Sequence, residues 1–137
     1  MNILTSSIVL LALFGSSIAG SNADKYLVPS LPEMDIFSFK QYSGYLPIGK
    51  TTKSLHFMFA ESQTTVPKDS PIIIWFNGGP GCSSLLGWSA EHGPYVMEDG
   101  TQTFHYNDYA WNMEANMLYI ESPGGVGFST CSGTYCM

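Results

Sequence analysis

The sequence predicts an α/β fold in which an antiparallel strand pair is followed by parallel strands that end in Gly-rich turns. Three observations carry this. Two segments rich in aromatic and β-branched residues, "FSFKQYSGYLPI" and "KSLHFMFAES", are separated only by "GKTT". The apolar run "IIIWFN" then leads straight into "GGPGCSS", and a second apolar run, Met117 to Ile120, leads into "ESPGGVG". Strands that feed Gly-rich turns with a helix between them suggest a mostly parallel sheet, with function at the C-terminal ends of its strands.

In chain order, "MNILTSSIVLLALFGSSIAG" comes first and reads as a secretory leader. It has an apolar core from Ile8 to Phe14 and small residues at Ser17 and Ala19, which places signal cleavage after residue 19, or after 23 at the second small pair, Ser21 and Ala23. The run is too short and too interrupted for a membrane span, which needs about 20 predominantly apolar residues. After cleavage no stable membrane anchor is expected. Residues 20–36, with Pro29 and Pro32, read as an extended lead-in, and the domain is expected over 37–137.

Within that domain, "GKTT" is the turn of a hairpin. In its second strand Leu55, Phe57 and Phe59 share one face and His56 and Met58 the other. His56 is read as an exposed strand residue. "TTVPKDSP" is a loop. "IIIWFN" is continuous in its apolar character, as for a strand covered on both sheet faces. "CSSLLGWSAEHG" reads as a short helix ended by Gly93 and Pro94, and "MEDGTQTFHYND" as a loop or hairpin.

Composition narrows the function. The chain has 137 residues and is 45% hydrophobic, enough for one domain with a core. Five Lys, no Arg and eleven acidic residues give a net charge of -6. Such a chain carries no basic stripe for nucleic acid. The three cysteines, Cys82, Cys131 and Cys136, have no nearby His at ligand spacing, so no metal site is indicated. In an oxidising compartment Cys131 and Cys136 could bridge locally, and the odd cysteine must pair outside this sequence or stay free.

The turn "NGGPGCSS" carries the chemistry. Gly78, Gly79 and Gly81 allow backbone geometry that a Cβ forbids, and they let N–H groups approach a ligand. Between a strand end and a helix start, such a turn can meet developing negative charge with backbone donors. A nucleotide-binding loop is not indicated, because no Lys follows at the required spacing. Ser83 and Ser84 read as first-turn residues that bond backbone groups. His92 reads as structural.

"YSGYL", "ESQ", "PIIIWFNGGPGCSSLLGWSAEHGPY" and "YAWNMEANMLYIESPGGVGFS" together resemble the N-terminal part of the serine carboxypeptidases, secreted or lysosomal/vacuolar α/β-hydrolases that remove C-terminal residues from peptides. The resemblance covers Tyr42 to about Ser129. It implies that Gly79 gives its backbone N–H to an oxyanion hole and that Trp75, Asn77 and Glu91 bind the substrate's terminal carboxylate. Glu91 must then be protonated, since two facing carboxylates repel, and this implies an acidic working pH. The resemblance also pairs Cys82 in a disulfide with a partner outside this chain; a thiolate at a helix N-terminus is the other reading of that residue. No cofactor is implied, and the partners are peptide or protein C-termini.

The family's nucleophile lies in a "GESYAG"-type elbow, followed by an aspartate and a histidine. No serine here has glycine two residues away on both sides; Ser129 in "GFSTC" comes nearest. Two functions therefore compete. One is a serine carboxypeptidase seen as an N-terminal fragment without its triad. The other is a naturally short, inactive product or a non-catalytic binder of peptide C-termini. In the family's strand order "IIIWF" lies between the "MLYI" strand and one supplied by later sequence, so an unpaired edge is expected here.

Overall fold

A computed structural model describes residues 22–32, 34, 38–97, 100, 103–133 and 136. The leader expected over 1–19 and the expected domain start at Phe37 lie outside these residues. The lead-in is not uniformly extended: Asn22–Tyr26 forms a 3-10 turn. Its Tyr26 ring lies on Gly44, where an added Cβ would stand 2.4 Å from the ring. A bare position in the strand is thus the seat for an aromatic side chain eighteen residues upstream.

Strands β1 (Gln41–Pro47) and β2 (Ser54–Ala60) form the expected antiparallel hairpin, in register from Gln41↔Ala60 to Pro47↔Ser54. The turn closes through Ile48 N–H to Lys53 O at 3.0 Å, with Gly49 at φ +53°. Strand β3 (Ile72–Trp75) comes next, then the short β4 (Tyr95–Met97) and β5 (Phe104–Tyr106), then β6 (Asn116–Ile120). The main sheet has the order β1-β2-β6-β3, with β6 antiparallel to β2 and parallel to β3. It is a mixed sheet, less parallel than the Gly-turn pattern alone suggested. β4 and β5 pair as a separate hairpin.

The core lies on one face. Met58, Ala60, Met117 and Tyr119 of the sheet pack with Phe39, Trp88, Tyr95 and Ala115. The buried Gln41 is fully used there: Nε2 donates to Tyr95 Oη at 2.6 Å and Oε1 accepts from Trp88 Nε1 at 3.2 Å. The opposite face carries Phe57, Phe59, Ile72 and Ile74. β3 is therefore not covered on both faces by the described residues: Ile72 is 62% exposed and Ile74 52%.

His56 is likewise corrected. It is buried, because Nδ1 meets Glu121 Oε2 at 2.9 Å and Nε2 meets Ser43 Oγ at 2.9 Å. A polar ring enters the covered face when both its nitrogens find partners. No described helix is long and apolar enough to cross a membrane.

Candidate active site

The helix expected over "CSSLLGWSAEHG" is short, and its last turn is wide. Over Gly87–Glu91 the bonding is of π type, with the His92 and Gly93 N–H groups both reaching Gly87 O, at 3.2 and 2.8 Å. Gly93 has no room for a side chain, since a Cβ would stand 1.9 Å from Trp88 O. Wide turns of this kind are common at functional sites. This one sends Trp88 into the core and brings Glu91 back towards the end of β3.

At that end Trp75, Asn77 and Glu91 form a hydrogen-bonded line. Trp75 Nε1–H donates to Asn77 Oδ1 at 2.8 Å, and the Gly87 N–H reaches the same oxygen at 3.3 Å. Both groups can only donate, so the amide orientation of Asn77 is fixed. Its NH₂ then points at Glu91 Oε1, at 3.4 Å. Gly87 is required for this approach: a Cβ there would lie 2.6 Å from Trp75 Nε1. Glu91 keeps its carboxyl half-exposed, and together Asn77 and Glu91 present N–H and carboxyl groups to solvent.

Behind them stands an aromatic wall. The His92 imidazole lies 4.2 Å from both the Trp75 and the Trp111 rings, centroid to centroid. Burial pushes its pKa below the ordinary value of 6.5, with the charge of Glu91 pulling the other way. Two buried polar atoms here, His92 Nε2 and Tyr119 Oη, have no hydrogen-bond partner among the described residues. Burial pushes the Tyr119 phenol up, with Glu91 adding to it.

The "GGPGCSS" turn leaves the same strand. Gly79 has φ +128° and Gly81 φ +98°, values closed to most side chains. A Cβ on Gly79 would meet Gly81 N at 3.0 Å and Cys82 N at 3.1 Å. The turn closes through Cys82 N–H to Gly78 O at 3.2 Å, and no described residue accepts from the Gly79 N–H. Such a donor, free and held by a tight backbone, can bond an oxyanion.

The serines are occupied by structure. Ser84 Oγ accepts the Asn77 N–H at 3.1 Å and donates to Ile120 O at 2.6 Å. Ser83 Oγ donates to Glu121. Ser129 Oγ donates to Glu121 O and accepts the His56 N–H, both at 2.7 Å. Ser83 thus bonds a carboxylate as well as the Leu85 N–H at 3.2 Å, where backbone partners alone were expected. Cys131 and Cys136 are joined, and Cys82 is free and exposed. No group of three His, Cys, Asp or Glu among the described residues could hold a metal. The residue that sequence reasoning missed is Glu121; its one signal was an acid placed directly behind an apolar strand.

A mixed sheet with a parallel pair, whose first strand runs into a tight turn with a backbone N–H that no described residue accepts, matches the arrangement of an α/β-hydrolase fragment. The serine carboxypeptidase family model matches residues 29–135. The chain is 58% identical over 92 residues to the lysosomal protective protein of Mus musculus, 67% of this chain and 19% of that protein. It is 43% identical over 104 residues to serine carboxypeptidase-like 31 of Arabidopsis thaliana, 75% of this chain and 21% of that one. Among solved structures it superimposes on Kex1(delta)p, a prohormone-processing carboxypeptidase from Saccharomyces cerevisiae. That match has a TM-score of 0.67 and 28% identity, over 79% of this chain and 26% of that one. The chain belongs to the serine carboxypeptidase family, and it spans about a fifth of the length of these curated relatives.

Proposed function

We propose that the chain forms the carboxylate-recognition and oxyanion half of a serine carboxypeptidase that hydrolyses the C-terminal peptide bond of peptides or proteins. The observation that carries the reading is the line Trp75–Asn77–Glu91 on the same strand end as the free Gly79 N–H. One part holds a terminal carboxylate through the Asn77 amide and the Glu91 carboxyl. The other bonds the oxygen of the tetrahedral intermediate. Glu91 donates only when protonated, which sets an acidic working pH. On this reading the nucleophile, aspartate and histidine, and a cysteine partner for Cys82, belong to further sequence of a longer protein. The leader directs the protein to the secretory pathway, with a final site outside the cell or in a lysosome or vacuole.

The test has two arms. The transcript beyond codon 137 should encode a glycine-flanked serine; a stop codon there would sink the fragment reading and favour a short binder of peptide C-termini. In the complete protein, Glu91→Ala should raise KM for free-acid peptides about tenfold or more at low pH and leave C-terminally amidated peptides nearly unaffected. Equal loss for both substrates would remove Glu91 from carboxylate recognition.

A further inference from the structure

The Gly79 turn is tight within itself but touches little around it. Cβ atoms added at Gly78 or Gly81 would meet nothing within 4 Å, and among the described residues the one bond across the turn is Cys82 N–H to Gly78 O. Its placement on the sheet is set at its ends, and both ends are tied to Ile120, the last residue of β6, and to Glu121 just after it. Ser84 binds Ile120 O and fixes the base of the turn through the Asn77 N–H. Ser83, on the return limb, binds the Glu121 carboxylate.

Glu121 is fully buried. Its Oε2 accepts from His56 Nδ1 at 2.9 Å and from the Phe128 N–H at 2.8 Å, and its Oε1 accepts from Ser83. His56 is oriented in turn by Ser43 Oγ on its Nε2, at 2.9 Å. The carboxylate also fills the space beside Gly127, where a Cβ would lie 1.8 Å from Oε1. A buried carboxylate is costly, and apolar residues of similar volume are often as stable in such a place. An apolar side chain could fill the volume. It could not hold the Ser83 hydroxyl in a fixed direction.

We propose that Glu121, oriented by His56 and acting through Ser83, is the positioning residue that sets the Gly79 turn for catalysis; this rests on the oxyanion role given to that turn above. Four segments meet on one carboxylate: β2 through His56, the Gly79 turn through Ser83, the end of β6, and the Gly-rich turn that carries Phe128. The Ser83 hydroxyl is the link that can be cut without emptying the buried position.

The experiment uses the complete protein with Ser83→Ala, Ser83→Thr and Glu121→Gln, and it reads two quantities. Amide hydrogen exchange over residues 78–82 needs no activity, and peptide hydrolysis gives kcat and KM separately. Ser83→Ala should speed exchange of the turn about tenfold, the loss of one charge-assisted bond. It should lower kcat by a similar factor with KM changed less than about twofold. Ser83→Thr keeps the hydroxyl and should restore both. Glu121→Gln should act in the same direction and more strongly, because an amide cannot accept from Ser83, His56 and Phe128 together. Turn exchange unchanged in both Ser83→Ala and Glu121→Gln would overturn the proposal, as would a loss of kcat in Ser83→Ala that threonine does not restore. A complete protein that cleaves no peptide would defeat the carboxypeptidase reading instead, and the exchange result would still decide whether Glu121 holds the turn.

Discussion

Gly79 and His92 show how far single positions are constrained. At Gly79 the backbone conformation and the approach of Gly81 N and Cys82 N both exclude a side chain. Gly79→Val in the complete protein should therefore cut kcat by about a hundredfold or more for every substrate, the scale of losing one oxyanion donor. Unchanged turnover would mean that its N–H points elsewhere. At His92 the consequence is a pH dependence of stability. Burial between Trp75 and Trp111 lowers its pKa below 6.5, so the folded state resists a proton that the unfolded chain accepts. The unfolded state then binds more protons as pH falls below 6.5, and stability that is complete above that pH is lost as pH drops towards the lowered folded value. His92→Gln should flatten the fall of Tm as pH drops below about 6.5; a slope identical to the parent's would show that His92 carries no such linkage.

Elements here are shaped by long-range polar bonds as much as by local pattern. The loop between β2 and β3 is held by Asn116 at the start of β6. Asn116 Oδ1 accepts the Ser62 N–H at 3.0 Å, and Nδ2 donates to Pro67 O at 2.8 Å and to Ser70 O at 3.1 Å. Asn116→Ala would orphan the buried Ser62 N–H and remove a donor from Ser70 O, while Pro67 O keeps the Ser70 N–H at 3.1 Å, and should destabilise the complete protein by about 1–3 kcal/mol in chemical denaturation. A change within about 0.5 kcal/mol would show that water replaces all three bonds. The same feature limits what a sequence reveals. The hairpin, β3, β6 and the Gly-rich turn were legible because their signals are local: a short polar turn, unbroken apolar runs, clustered glycines. The covered face of β2 was not. Phe57 and Phe59 look like the inward face, yet His56, Met58 and Ala60 are the buried ones, since His56 finds Glu121 sixty-five residues downstream. The wide helical turn was hidden as well, because its π bonding depends on Trp88 seated in the core and on Glu91 returning to Asn77. Trp75, Asn77 and Glu91 entered through the resemblance, and their hydrogen-bonded line is a fact of the structure alone.

For the molecule as a whole, the consequential feature is the outer edge of β3. Among the described residues β3 pairs only with β6, so its other row of N–H and C=O groups has no strand partner. Ile72, Ile74 and Phe76 stand on one face of that edge, 62%, 52% and 53% exposed, with no charge from Ile72 to Phe76. An uncharged apolar edge of this kind is a template for pairing with another copy. Fully burying each such side chain contributes roughly 1.5–3 kcal/mol, so association recovers stabilisation that the isolated chain forgoes. The free, exposed Cys82 adds a route to intermolecular disulfides. Expressed by itself, the chain should aggregate, hydrolyse no peptide and take no label from a serine-directed phosphonate, since Ser83, Ser84 and Ser129 are all engaged in structural bonds. Ile74→Lys places a charge in the middle of the edge and should raise the soluble fraction severalfold, read by sedimentation at equal expression, without producing activity. A soluble monomer of the unsubstituted chain that melts cooperatively would show that the β3 edge is already protected, and would move the preferred reading to a short binder of peptide C-termini. Phosphonate labelling of any serine would place a nucleophile within this chain.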